Sequence, residues 1–135
     1  MARRTDREER ARQEIAAAVE RAAEAGKRVL VIFGADWCVD SGALKRTFRH
    51  ALLLPLLADG FEVIHLDVGD REHYRETAGG WGIDYAAGLP AAAVLDAEGE
   101  LVTSTTAGEL ASARTMTPIE IATLIHRWMP GSPHD

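Results

Sequence analysis

The sequence predicts a three-layer α/β domain in which helices cover both faces of a mixed β-sheet. Residues 29–33, "VLVIF", and residues 61–68, "FEVIHLDV", are short apolar segments joined by a helical pattern, and strands joined in this way are parallel neighbours. Residues 91–96 and 100–104 form two further strand patterns separated by three residues, which predicts an antiparallel hairpin. Helical patterns at both ends of the chain complete the layers.

The first element is an amphipathic helix over about residues 6–25. Thr5, followed three residues later by Glu8, matches a capping box, and Gly26 ends the pattern. The apolar residues that recur at helical spacing are Ile15, Ala18, Val19 and Ala22. They predict one buried face.

The segment 29–33 is continuously apolar, which predicts a central strand covered on both faces. A second helix follows it, and its apolar stripe consists of Leu44, Thr47, Phe48, Ala51 and Leu52. Pro55 interrupts or restarts this helix, and Gly60 ends it before the strand at 61–68.

Two further helices are predicted from their capping residues. Asp70 is placed to cap a short helix through "REHYRETA", which stops at Gly79 and the glycine after it. In the last helix, Thr117 is the predicted cap, Pro118 the first position and Glu120 the third. The apolar face of this helix consists of Ile121, Leu124, Ile125 and Trp128.

Length, charge and cysteine content restrict the classes of function. The 135 residues predict one domain over residues 1–130 and a flexible tail at 131–135. The net charge of −6 offers no broad basic face to nucleic acid, and no apolar run approaches the roughly 20 residues that span a bilayer. We therefore expect neither partner, and a cytoplasmic location. One cysteine and scattered histidines predict no metal site.

The chemistry is concentrated in "DWCVDS", which contains the single cysteine, Cys38. This residue lies where the first strand gives way to a helix, and the amino terminus of a helix favours the thiolate, which is the nucleophilic form. The carboxylates of Asp36 and Asp40 oppose this effect weakly. The alternative is a buried cysteine that acts as a small apolar residue. Because Trp37 and a polar turn surround it, we expect a reactive thiol.

The stretch "FGADWCVDS", together with "GLP" before the hairpin, resembles the thioredoxin superfamily, whose active site is a Trp-Cys-x-x-Cys turn facing a cis-proline. The resemblance covers about residues 28–129 and implies that fold, to which the first helix is an addition. It also implies that Pro90 is cis and that Leu89 offers backbone hydrogen bonds to a substrate. The substrate-binding residues that follow from it are Trp37, Val39, Asp40, Leu89 and Pro90.

The chain departs from the thioredoxin pattern at three positions. Ser41 stands where the family has its second cysteine, so its hydroxyl can donate a hydrogen bond to a thiolate but cannot form a disulfide. Ile32 stands where thioredoxins carry a buried aspartate, and the lysine partner of that aspartate falls near Val63. Ser41 is either native or an engineered replacement of cysteine, and the other two departures favour a native serine.

These residues predict a thiol–disulfide oxidoreductase in which Cys38 and Ser41 are the catalytic pair. Cys38 would form a mixed disulfide with a client protein or a small-molecule disulfide, and an external thiol, such as a low-molecular-weight co-substrate, would resolve it. No other cofactor is implied. The alternatives are a peptide-binding module and, less favoured because Val39-Asp40 differs from the usual Gly-Phe pair, an iron–sulfur carrier. The oligomeric state is left open.

Two further features bear on the predicted substrate groove. Trp37 and Trp81 are candidates for framing it, whereas Trp128 is expected in the core. Residues 105–116, "TTAGELASARTM", either cover the edge of the active site or form a surface loop, and the surface loop is the favoured alternative. We call residues 105–116 the cover segment.

Overall fold

The computed structural model describes residues 2–131, which contain five helices and four strands. In chain order they are α1 (Ala2–Ala25), β1 (Arg28–Gly34), α2 (Val39–Thr47), α3 (Leu54–Gly60), β2 (Phe61–Asp67), α4 (Arg75–Gly79), β3 (Ala91–Leu95), β4 (Leu101–Ser104) and α5 (Pro118–Arg127). Two 3₁₀ turns, Tyr85–Ala87 and Ala113–Thr115, lie in the loops.

The four strands form one mixed sheet in the order β2-β1-β3-β4. The central strand β1 pairs in parallel with β2 and antiparallel with β3, and β3 continues into β4 as an antiparallel hairpin. This is the predicted thioredoxin-like arrangement, so the fold class is confirmed. The register also corrects one detail, because the residue of β2 opposite Ile32 is His65, whereas Val63 lies opposite Leu30.

Side chains alternate along β1 and divide the core into two clusters, one on each face of the sheet. Val29, Val31 and Phe33 pack with α1 and α4, and the intervening Leu30 and Ile32 pack with α2, α3 and α5. All five side chains are buried. A strand covered on both faces is held rigidly, and β1 ends directly before the Cys38 turn.

Glu8 and Asp70 do not have the capping roles that local sequence predicts. Helix α1 begins at Ala2, so Thr5 lies inside the helix, and the Glu8 carboxylate instead accepts hydrogen bonds from the amides of Glu76 and Thr77 at 3.1 and 3.3 Å. Glu8 is buried and caps α4, because that helix begins at Arg75. The predicted cap at Asp70 was therefore wrong.

The last helix, α5, has the capping residues that the sequence predicts. The Thr117 hydroxyl accepts from the Glu120 amide at 3.1 Å and the Glu120 carboxylate accepts from the Thr117 amide at 2.7 Å, which is the predicted capping box ahead of Pro118. Trp128 is buried, and its carbonyl accepts from the Arg28 guanidinium at 3.1 Å. Residues 132–135 of the predicted tail lie outside the described residues.

Pro55 lies at the start of a new helix rather than inside α2, which is one of the two alternatives that the sequence predicted. Helix α2 ends at Thr47, a turn follows, and α3 begins at Leu54 with Pro55 in its first turn. Proline is tolerated there because the first amides of a helix have no intrahelical acceptor. Among the helices of residues 2–131, none combines the length and apolar composition that a bilayer crossing requires.

Candidate active site at the Cys38 turn

Cys38 is the residue that precedes the first turn of α2. Its backbone is extended (φ −87°, ψ 117°), its amide donates to the Ala35 carbonyl at 3.1 Å, and its own carbonyl accepts from Gly42 at 3.1 Å. The side chain is partly buried. The thiol therefore lies at the amino terminus of a nine-residue helix, where unpaired amides and the helix dipole stabilise negative charge.

The loop before β3 forms the opposite side of the thiol. The Leu89–Pro90 peptide bond is cis, and both residues are buried. The Cys38 Sγ donates a hydrogen bond to the Leu89 carbonyl at 3.6 Å. The structure thus brings Cys38, Leu89 and Pro90 together from parts of the chain separated by 51 residues.

Ser41 stabilises the turn through a partner other than the thiol. Its side chain is buried, and its Oγ accepts a hydrogen bond from the Ala35 amide at 3.2 Å. A Cβ on Gly34 would lie only 3.0 Å from this oxygen, so the serine packs directly against the end of β1. Within residues 2–131, no hydrogen bond joins Ser41 Oγ to Cys38 Sγ.

Trp37 is exposed, yet both its ring and its nitrogen have partners. The side chain is 47% accessible, the indole Nε1 donates to the Gly69 carbonyl at 2.7 Å, and the Arg71 guanidinium carbon lies 4.6 Å from the ring centre. Gly69 and Arg71 belong to residues 68–74, which we call the Arg71 loop. Nothing in the local sequence indicated that this loop contacts the Cys38 turn.

Asp40 and the cover segment form the other side of the site. The Asp40 carboxylate accepts from the Arg114 amide at 2.9 Å, and the 3₁₀ turn Ala113–Thr115 packs against α2. Leu110 is completely buried. The segment therefore covers the edge of the active site, and the favoured interpretation as a simple surface loop was wrong. Asp40 contacts this segment, whereas its neighbour Val39 is 59% exposed.

The cover segment also packs against the loop that carries Pro90. Gly88 has a φ of +118°, and a Cβ at this position would lie 2.5 Å from the Ala111 side chain. Glycine is required at position 88 for two reasons. Other residues rarely adopt this φ, and the Ala111 side chain occupies the space that a Cβ would need. The segment thus contacts the two parts of the chain that meet at the thiol.

A small cavity of about 90 Å³ lies behind Ser41, and Ile32, Lys45, His65 and Asp67 contribute to its walls. The walls remove part of the water around His65, and the Lys45 charge adds to this effect, so that the pKa of His65 is lowered from its usual 6.5. Ile32, at the position of the family's buried aspartate, is apolar and packs with the core, and the acidic residue in the wall of this cavity is the exposed Asp67.

Trp81 packs against the core, and the histidines do not form a metal-binding group in the described part of the chain. Trp81 packs edge-on against Phe33, with ring centres 6.1 Å apart, and its carbonyl accepts from Ser104 at 2.7 Å. It is partly buried against the core cluster that Cys38 also contacts. Across residues 2–131, no three histidine, cysteine or acidic side chains are grouped so that they could hold a metal ion.

A model of the family described as thioredoxin-like matches residues 10–97. The chain belongs to the thioredoxin-like family. It is similar to a solved structure described as the disulphide isomerase from Xylella fastidiosa Temecula1, with 31% identity over 85% of this chain and 88% of that one, and a TM-score of 0.81. None of the curated proteins matches this thioredoxin-like chain.

A more distant solved structure, described as DsbH oxidoreductase, shares the fold. It is 16% identical, the match covers 76% of this chain and 82% of that one, and the TM-score is 0.55. At this identity the likeness supports the arrangement of strands and helices alone.

Proposed function

We propose that this protein is a thiol–disulfide oxidoreductase that works through the single thiol of Cys38. The observation that carries the proposal is the position of that sulfur, at the amino terminus of α2 and 3.6 Å from the carbonyl oxygen of the cis Leu89–Pro90 peptide bond. The description of the Xylella relative as a disulphide isomerase supports the same class of reaction.

The reaction begins with a thiol–disulfide exchange. The Cys38 thiolate attacks one sulfur of a client disulfide, the new Sγ–S bond forms as the client S–S bond breaks, and the leaving thiolate takes a proton from water. The chain has no second cysteine to resolve this mixed disulfide. An external thiolate, of a low-molecular-weight thiol, therefore attacks it, releases the Cys38 thiolate and leaves as a disulfide with the client sulfur.

The surrounding residues bind and orient rather than exchange electrons. The α2 amides stabilise the thiolate that is regenerated after each turnover. Ser41 holds the turn against β1 through the Ala35 amide, and the exposed side chains of Trp37 and Val39 offer an apolar edge for the client. The backbone beside Pro90 supplies the opposite edge.

The test is the release of peptide thiol from a glutathionylated cysteine peptide. Cys38 attacks the glutathione sulfur, the peptide thiolate leaves, and free glutathione then attacks the Cys38–glutathione disulfide and leaves as glutathione disulfide. We expect Cys38→Ala to reduce the rate to the uncatalysed level, whereas Ser41→Ala retains a measurable part of it because no hydrogen bond joins Ser41 to the sulfur. Equal rates for native protein and Cys38→Ala would overturn the proposal.

The role of Ser41 allows a sharper form of this test. In Ser41→Cys a second thiolate could attack the mixed disulfide from within the chain, releasing the client and leaving a disulfide between Cys38 and the introduced cysteine. We expect this variant to release both the peptide and glutathione without added thiol, in a single turnover, and native protein to release the peptide and stop at the Cys38–glutathione disulfide. Mass spectrometry of the quenched protein separates the two products.

A second candidate function is a peptide-binding module in which the thiol has no role. Trp37 at 47% and Val39 at 59% exposure favour it, because large apolar side chains exposed beside a groove are typical of docking surfaces. Blocking Cys38 with iodoacetamide separates the two functions. A module keeps its peptide partner after the block, whereas an oxidoreductase loses the covalent capture of its client.

A further inference from the structure

We propose that Arg71 determines client specificity by receiving a carboxylate that lies next to the disulfide attacked by Cys38. This inference rests on the proposed function and names the chemistry of the client. Three properties of the Arg71 loop carry it: its attachment to the Cys38 turn, its unusual backbone conformation, and the unused hydrogen-bond donors of the guanidinium group.

The Arg71 loop is attached to the residue that directly precedes the nucleophile. The indole of Trp37 donates to the Gly69 carbonyl at 2.7 Å, and the guanidinium carbon of Arg71 lies 4.6 Å from the same ring. A guanidinium group within about 6 Å of an indole ring is attracted to the face of that ring. The exposed positive charge is therefore held against the residue that precedes the thiol.

The backbone of the loop adopts a conformation that directs Arg71 to this place. Arg71 has a φ of +79° and Tyr74 a φ of +64°, in the left-handed region that residues other than glycine rarely adopt. Such conformations persist where the surrounding structure requires them, and they are concentrated at binding and active sites. Here both occur in the one loop that contacts the Cys38 turn through Gly69 and Arg71.

The Arg71 guanidinium contacts the Trp37 ring through its charge, and its hydrogen-bond donors remain available. Among the described residues, no carboxylate or carbonyl accepts a hydrogen bond from the Arg71 side chain. Its neighbour Arg75 differs, since its Nε donates to the Arg71 carbonyl at 2.7 Å. Arg71 thus presents an array of donors whose planar geometry matches a carboxylate.

The acidic residues nearby limit where an anionic group can bind. Asp36 and Asp70 are exposed, and Glu72 is paired with His73 at 3.1 Å. Exposed carboxylates repel an anion only weakly in water. A client carboxylate is therefore favoured where it contacts the Arg71 guanidinium directly, and disfavoured in the parts of the Arg71 loop that carry Asp70 and Glu72.

The experiment compares matched disulfides that differ by one negative charge. In the first pair, a neutral cysteine peptide carries mercaptoacetate or its neutral amide, and in the second, a cysteine peptide with adjacent Glu or Gln carries mercaptoethanol. We would measure the rate of mixed-disulfide formation on Cys38 by acid quenching and mass spectrometry. The ratio of the anionic to the neutral rate is compared between native protein and variants, because the intrinsic reactivities of the disulfides cancel.

We expect Arg71→Gln to lower this ratio about fivefold in at least one pair, a size typical of the stronger exposed ion pairs. Arg49→Gln is the matched control, since it removes the same charge from an exposed position after α2, and it should leave the ratio unchanged. Arg71→Asn is the second variant, because asparagine adopts the left-handed conformation more readily. Adding salt to about half molar should reduce the native preference.

The outcomes distinguish a failure of the proposed role of Arg71 from a failure of the proposed exchange reaction at Cys38. A fall confined to the first pair assigns the carboxylate to a low-molecular-weight thiol, and a fall confined to the second assigns it to a peptide client. An unchanged ratio in both Arg71 variants, or an equal fall in Arg49→Gln, overturns the inference while the exchange reaction stands. If native protein reacts with none of the four disulfides, the proposed function itself fails.

Discussion

The two sides of the Cys38 turn are held by different kinds of contact. On one side the cover segment is anchored by the buried side chains of Leu110 and Ala113, and by the Asp40 carboxylate on the Arg114 amide. On the other side the Arg71 loop contacts the exposed side chain of Trp37 through one hydrogen bond and one cation–π contact. The first side is part of the core, and the second is a surface contact.

Because of this difference, we expect the cover segment to contribute to the stability of the fold and the Arg71 loop to contribute to the binding of clients. Buried apolar contacts contribute several kilocalories per mole, whereas an exposed hydrogen bond or cation–π contact contributes about 1 kcal/mol or less. Substitutions in the cover segment should therefore lower the free energy of unfolding more than they change the rate of thiol–disulfide exchange. Changes in the Arg71 loop should alter the reaction with clients while the fold is retained.

The largest effect on stability is expected for Leu110→Ala in the cover segment. Leu110 is completely buried among α2 and α5 side chains, and removing a buried leucine costs about 3 kcal/mol. Urea unfolding followed by circular dichroism measures the loss. Leu101→Ala is the control, since Leu101 is 43% exposed and should cost less than about 1 kcal/mol. Equal losses would mean that the cover segment is not part of the core.

Asp40→Ala tests the polar anchor on the same side. Its carboxylate accepts from the Arg114 amide at 2.9 Å and lies in the first turn of α2, where negative charge is favourable. We expect a loss of about 1 kcal/mol and faster trypsin cleavage after Arg114. The exposed Asp36, changed to Ala, is the comparison that carries the same change in charge. Unchanged cleavage would show that the apolar contacts hold the segment alone.

Trp37→Phe weakens the opposite side without removing its aromatic ring. Phenylalanine cannot donate to the Gly69 carbonyl, and that exposed hydrogen bond contributes roughly 0.5 to 1 kcal/mol. We expect nearly native stability but faster amide hydrogen exchange in the Arg71 loop. The cover segment serves as the internal control, because its exchange should not change. A uniform increase over the whole chain would instead indicate a general loss of stability.

Local patterns in the sequence predicted the framework of the fold but not the second side of the site. The apolar runs of β1 and β2, the hairpin and the Thr117 capping box depend on neighbouring residues and were correct. Glu8 failed as a local cap because a distant helix supplies its hydrogen-bond donors. The Arg71 loop was missed for the same reason, since Gly69 lies 32 residues from Trp37 and the contact exists only after β2 pairs with β1.

The smallest expected effect concerns His65, an exposed residue at the wall of the small cavity behind Ser41. Its pKa is lowered in the folded protein, so the unfolded chain binds a proton at His65 at higher pH than the folded chain does. Stability from this group is therefore fully present above pH 6.5 and decreases as the pH falls below that value. We expect the free energy of unfolding to decline less between pH 8 and pH 5 in His65→Gln than in native protein. A decline in His65→Gln that equals or exceeds the native decline would overturn the assignment.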